Sequence, residues 1–65
     1  KPLFKMGKKL VAARGLKAGH VLSTADVAIK SPNDGLPPYE LPSVLGRVLT
    51  RDLAEDDSIA FEDLA

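Results

Sequence analysis

The chain has 65 residues, no cysteine, nine basic residues against nine acidic ones, and a hydrophobic content of 45%. That length allows one domain, near the lower limit of what folds without staples, and the missing thiols exclude disulfides and thiolate metal sites. Zero formal charge argues against a nucleic-acid partner, and no apolar run is long enough for a membrane span or a signal-peptide core.

Residues 1–8 show no hydrophobic period and read as the end of a linker; residues 9–65 read as the domain itself. Leu10 to Arg14 is short and apolar and predicts a strand that Gly15 breaks. Lys17-Ala18-Gly19-His20 predicts a turn, with Gly19 free to take positive φ. Val21-Leu22 returns to extended chain. Ser23 to Asp26 predicts a single helical turn, with Ser23 as N-cap and Asp26 as the carboxylate three residues on. Val27 to Lys30 is a second extended piece. Ser31 to Pro38 is the one real loop, composed almost wholly of turn-forming residues. Pro38 to Leu41 and Pro42 to Leu45 predict two short helical turns, each with Pro early, where its missing N–H costs nothing. Gly46 ends the second. Arg47 to Arg51 predicts a strand, Glu55-Asp56-Asp57 a turn, Ser58 to Ala60 extended chain, and Phe61 to Leu64 a last short turn.

Laid over each other, residues 11–28 and 48–65 reveal a repeat with a constant offset of 37 residues and no gap. Val11 meets Val48, Arg14 meets Arg51, Leu16 meets Leu53, Leu22 meets Ile59, and Asp26 meets Asp63. Neither unit can bury a core alone, but the two packed together can, so a pseudo-twofold arrangement is expected. The expected fold is mostly β, with short single-turn helices and no long helix.

Charge is uneven along the chain. Lys1, Lys5, Lys8 and Lys9 open it, and Asp52, Glu55, Asp56, Asp57, Glu62 and Asp63 crowd its end. These read as solvated surface charge or as a basic linker lying along a larger body.

Catalytic chemistry finds little support. His20, the lone histidine, reads as an exposed turn residue, and scattered carboxylates give it no ligand set. Asp56 and Asp57 are acids of a solvent-facing turn rather than a cation site. No serine has a histidine at a recognisable spacing, and no phosphate-binding glycine loop is present. Asp26 and Asp63 share one repeat position, which marks them as structural carboxylates. The segment from Lys30 to Pro38 stands outside the repeat and is stiffened by proline, and rigid loops on small scaffolds often carry the contact surface.

The pattern as a whole resembles the SAF, or antifreeze-like, domain. It comprises Leu10-Val11-Ala12-Ala13, Leu16, Gly19, Leu22, Asp26, Lys30-Ser31-Pro32, Gly35, Pro38, Leu45-Gly46, Ile59 and Asp63-Leu64, over residues 9–65. It is especially similar to the C-terminal domain of sialic acid synthases, which condense phosphoenolpyruvate with an N-acetylated sugar. The resemblance implies a compact β-clip, pretzel-like fold and a domain that is not an enzyme by itself. In that family a TIM barrel carries the chemistry and a divalent metal such as Mn or Mg. The small domain reaches across a homodimer to cover the partner's active site. By that resemblance the domain holds no cofactor, is cytoplasmic, binds neither nucleic acid nor membrane, and offers Lys30, Ser31, Pro32, Asn33, Asp34 and Gly35 to the sugar. Bacterial members often carry arginine between the Lys and Pro of this loop; Ser31 stands there here and supplies one hydroxyl instead of a cationic fork. The fold is shared with type III antifreeze proteins, so ice binding is the alternative expectation. A module of pilus or flagellar assembly would carry export features that this sequence does not display. Against ice binding, Arg14, His20 and Asp26 would put charged, hydrated groups on the corresponding face.

Overall fold

The computed structural model describes residues 7–65. Of the expected linker end, residues 1–6 therefore lie outside the described residues. Strand β1 (Lys9–Ala12) pairs antiparallel with β2 (Val27–Lys30), in the register Lys9 to Lys30, Leu10 to Ile29, Val11 to Ala28 and Ala12 to Val27. Leu10, Val11 and Ala12 are all buried, because β1 is flanked on both edges. β2 lies along one edge. On the other, Ala12 donates its N–H to the Asp57 carbonyl and Leu10 accepts from Ile59, tying β1 to the second repeat.

The pseudo-twofold relation appears in the backbone hydrogen bonds. Leu16 and Leu53 stand 37 residues apart, and each donates its N–H to the other's carbonyl at 2.8 Å. Reciprocal bonding between equivalent residues places the axis between them. Around it the bonds occur as equivalent pairs: Gly19 to Leu49 with Asp56 to Ala12, Leu49 to His20 with Ala12 to Asp57, Leu22 to Arg47 with Ile59 to Leu10, and Ala13 to Asp26 with Thr50 to Asp63. Backbone conformation follows the same relation, since Gly19 and Asp56 occupy equivalent turns at φ 91° and 73°. The two units share one core: Leu10, Ala12, Leu16 and Leu22 from the first, Leu49, Leu53, Ile59 and Leu64 from the second, with Val44 between.

Other elements follow the local sequence. Thr24–Asp26 is a 3-10 turn with a Ser23–Asp26 capping box, and Phe61–Asp63 is its repeat equivalent. Pro38–Glu40 forms a further 3-10 turn that runs directly into the four-residue helix α1 (Leu41–Val44), so the two expected turns are continuous. Gly46, at φ 82°, turns the chain out of it. The expected strand from Arg47 to Arg51 is reduced to single bridges, Val48 to Val21 and Leu49 to Leu64. Gly46 holds the position equivalent to Lys9, and its positive φ leaves the extended region where a ladder begins. Val48 and Leu49 then pair with different segments, which a regular two-stranded ladder does not allow. This is a small antiparallel sheet with short helical turns and, among the described residues, no long helix, as expected from the sequence.

Candidate functional site

The unrepeated loop is held at both ends while its surface stays open. Lys30 and Ser31 to Gly35 are all exposed. At the entry, Lys30 Nζ donates to Asp56 Oδ1 at 2.7 Å. Further along, Lys9 Nζ meets Asp34 Oδ1 at 2.9 Å. The hydrogen bond with Asp56 raises the Lys30 pKa, and that from Lys9 lowers that of Asp34. Leu36 closes the loop by accepting the Leu10 N–H at 2.9 Å.

Two glycines let this loop lie against its surroundings. A Cβ at Gly35 would stand 3.2 Å from the Lys9 side chain, and one at Gly7 would stand 2.7 Å from the Asn33 side chain. The Ser31–Pro32 peptide is cis. Thus all six expected site residues lie on one continuous exposed segment. Lys30 and Asp34, however, are engaged by partners within the domain rather than standing free. Ser31 offers a hydroxyl, and the described residues enclose no pocket.

Two further clusters surround the buried carboxylates. Asp26, fully buried, accepts from Arg14 Nη2 at 2.5 Å, from the Ser23 N–H at 2.9 Å and from Ser23 Oγ at 2.8 Å. His20 Nε2 lies 2.7 Å from Asp26 Oδ2, the oxygen that also accepts both Ser23 bonds, while Arg14 holds Oδ1. The hydrogen bond with His20, ahead of those from Ser23, pulls the Asp26 carboxyl far below the usual range despite its burial. His20 is therefore not a free turn residue: it is half-buried and folded onto Asp26. Because the Ser23 hydroxyl donates to Asp26 and not to His20, the three residues do not form a base-activated nucleophile.

Asp63 repeats this arrangement with fewer bonds. Arg51 donates through Nε at 2.7 Å and Nη2 at 3.4 Å, and the Ala60 N–H at 3.3 Å. Ala60 stands where the first repeat has Ser23, so the hydroxyl contact has no counterpart. Asp57 stands where the first repeat has His20, and it turns away to accept the Ala54 N–H at 2.9 Å. Both carboxylates thus act as internal caps, as their shared repeat position implies. Among the described residues no three or more His, Cys, Asp or Glu side chains gather as a metal site. No helix among them is long and apolar enough to cross a membrane.

Asp56 is the residue that reading the sequence missed. It looked like one of two acids in a solvent-facing turn, yet it holds the loop from the opposite repeat. A signal was present in the alignment of Asp56 with Gly19, which marks a left-handed backbone position that aspartate adopts more readily than most L-residues. Its partner Lys30 carries no corresponding signal.

Comparison with known proteins adds relatives. The chain is 41% identical over 56 residues to N-acetylneuraminate-9-phosphate synthase of Drosophila melanogaster, covering 85% of this chain and 15% of that protein. It is 35% identical over 57 residues to an uncharacterized protein of Methanocaldococcus jannaschii, covering 88% of this chain and 17% of the relative. The chain therefore spans about one sixth of the length of these curated relatives. In fold it is similar to the solution structure of an antifreeze protein like domain in human N-acetylneuraminic acid phosphate synthase. The TM-score is 0.86 at 23% identity, over 91% of this chain and 76% of that one. The SAF domain model matches residues 9–65, the span that contains both repeats and the loop between them, and the chain belongs to the SAF domain family.

Proposed function

We propose that this domain is the non-catalytic, substrate-binding lid of a sialic acid synthase-like enzyme. In this reading the chemistry belongs to a TIM barrel, and the domain covers the barrel of the partner subunit across a homodimer. Lys30, Ser31, Pro32, Asn33, Asp34 and Gly35 then form the surface presented to an N-acetylated sugar. The observation that carries the reading is the loop itself: exposed throughout, outside the repeat, and held by two ion pairs. An exposed loop with no pocket of its own supplies contacts to a site that another body walls, and a prearranged one loses little entropy when it closes. The 41% identity to a synthase domain supports the same assignment. Such a lid works by positioning substrate and excluding water. The divalent metal, Mn or Mg, belongs to the barrel in this reading. The setting of such an enzyme is the cytoplasm.

The test is removal of residues 9–65 from the synthase that carries them, followed by a condensation assay on the remaining dimer. The expected result is a loss of turnover together with a raised sugar KM. Unchanged activity and sugar affinity, in a dimer that keeps its folded barrel, would overturn the proposal.

A further inference from the structure

We infer that Asp56 is a positioning residue for the loop, reaching from the second repeat to hold the Lys30 end in the shape that closure requires. This rests on the lid reading above. The argument begins in the register of the sheet, where Lys9 and Lys30 are direct cross-strand neighbours. Like charges directly opposite each other destabilise a strand pair. Here each lysine is drawn to its own carboxylate, Lys9 to Asp34 at 2.9 Å and Lys30 to Asp56 at 2.7 Å. One carboxylate lies in the loop and the other comes from the opposite repeat. Together they spread the two ammonium groups and fasten the loop at two points.

The anchor on the Asp56 side is itself fixed. The Asp56 N–H donates to the Ala12 carbonyl at 2.9 Å, at the end of β1. Its φ of 73° belongs to the left-handed region, so the turn that aims the carboxylate is set by the pseudo-twofold scaffold. Without the carboxylate, Lys30 faces Lys9 with no counter-charge and the loop is released at its entry. Asp56 need touch no substrate to affect one.

The variants are Asp56→Asn, since asparagine tolerates this backbone region, and Asp56→Gly, which removes the carboxylate with no Cβ at positive φ. Amide relaxation of the 65-residue domain is measured first. Order parameters of Ser31, Asn33, Asp34 and Gly35 are expected to fall from the rigid value of about 0.85 towards about 0.6 in both variants, while β1 and Ile59 stay unchanged. High salt is expected to loosen the loop of the parent domain and to add little to either variant. In the synthase, the sugar KM is expected to rise about two- to fivefold, the range an exposed ion pair can supply, with kcat and the phosphoenolpyruvate KM unchanged. An unaltered loop in both variants overturns the role of Asp56, as does loosening spread evenly over the domain. A loosened loop with an unmoved sugar KM leaves the Asp56 anchor standing and overturns the lid reading instead.

Discussion

Replacing Asp26 by asparagine tests whether the two buried carboxylates are energetically as unequal as their surroundings. Asp26 is fully buried and has four polar contacts between 2.5 and 2.9 Å, from Arg14, His20 and both donors of Ser23. Asparagine keeps the shape and one acceptor, but removes the charge and turns an NH2 group towards the same donors. Hydrogen bonds to a charged group contribute about 1.5–3 kcal/mol each. The Arg14 side chain remains 60% exposed and that of His20 36%, so both regain water when released and the full sum is not lost. All four contacts meet one buried carboxylate, His20 and both Ser23 donors sharing Oδ2, and together they set the cost. We expect Asp26→Asn to destabilise the domain by about 2–3 kcal/mol.

Asp63→Asn is the internal control. Its nearest contact is Arg51 Nε at 2.7 Å, while the other two lie at 3.3 and 3.4 Å. No hydroxyl and no imidazole approach it, and the expected cost is about 1 kcal/mol. A domain of this length has a total stability of roughly 3–10 kcal/mol, so the first substitution removes a large share. The assay is urea unfolding followed by circular dichroism, read as a change in midpoint at constant slope. With about 4–8 °C per kcal/mol for small domains, the Tm difference between the two variants is also measurable. Equal losses, or a larger loss for Asp63→Asn, would refute the reasoning that hydrogen bonding to the buried carboxylate sets the cost.

The same residue predicts an acid limit. Folding holds the Asp26 carboxyl below its ordinary value, so its stabilisation is complete above the unfolded value of about 4 and is lost as pH falls below it. The stability gap between the parent domain and Asp26→Asn is therefore expected to close on acidification from about pH 5 to about pH 2, and a gap independent of pH would contradict it. Gly19→Ala and Gly46→Ala should each cost about 1–2 kcal/mol. Both glycines sit at positive φ with no atom within 4 Å of an added Cβ, so the cost is of backbone origin; no change in the urea midpoint would count against it. Freezing-point measurements on the isolated domain should show no thermal hysteresis: Asp26, expected on the face that would have to match ice, is buried, but the exposed Arg14 guanidinium and the half-buried His20 ring keep hydrated polar groups there. Measurable hysteresis with shaped crystals would reverse that expectation.

The elements legible in the sequence were those whose cause is local or repeated. Ser23 with Asp26 three residues on specifies a capped turn by itself, and the 37-residue offset aligns Leu16 with Leu53, the two residues that the structure then bonds across the axis. The Arg47 to Arg51 strand was misjudged because its residues have strand-forming types but divide their pairing between two segments. That division is a tertiary property and leaves no periodicity to read. His20 was misjudged for a similar reason. Six residues separate it from Asp26, a distance set by the path of the chain through Val21 and Leu22 rather than by any helical or strand spacing. The irregular segment between β2 and Pro38 was legible from composition, but the pairing of its charges was not. Lys30 and Asp34 find partners at separations of 26 and 25 residues, and only coordinates bring those together.

Asp56 shows how repeat symmetry and its local failure can be separated. The backbone treats residues 19 and 56 alike: both have positive φ, and both donate to an equivalent carbonyl. Glycine meets that conformation without steric cost, whereas an L-residue bears up to about 1–2 kcal/mol, with aspartate and asparagine among the most tolerant. The turn alone therefore favours glycine at both positions. An aspartate at one of them gains an interaction that the other position does not have. The Lys30 ammonium at 2.7 Å is that interaction. It offsets part of the backbone cost at most, because an exposed ion pair contributes about 0–1 kcal/mol. The residue at 56 is consequently not explained by maximal stability of the domain. The proposed role of the carboxylate in holding the loop is what Asp56→Gly isolates. If the scaffold alone mattered, that substitution would raise stability and leave the loop as it was.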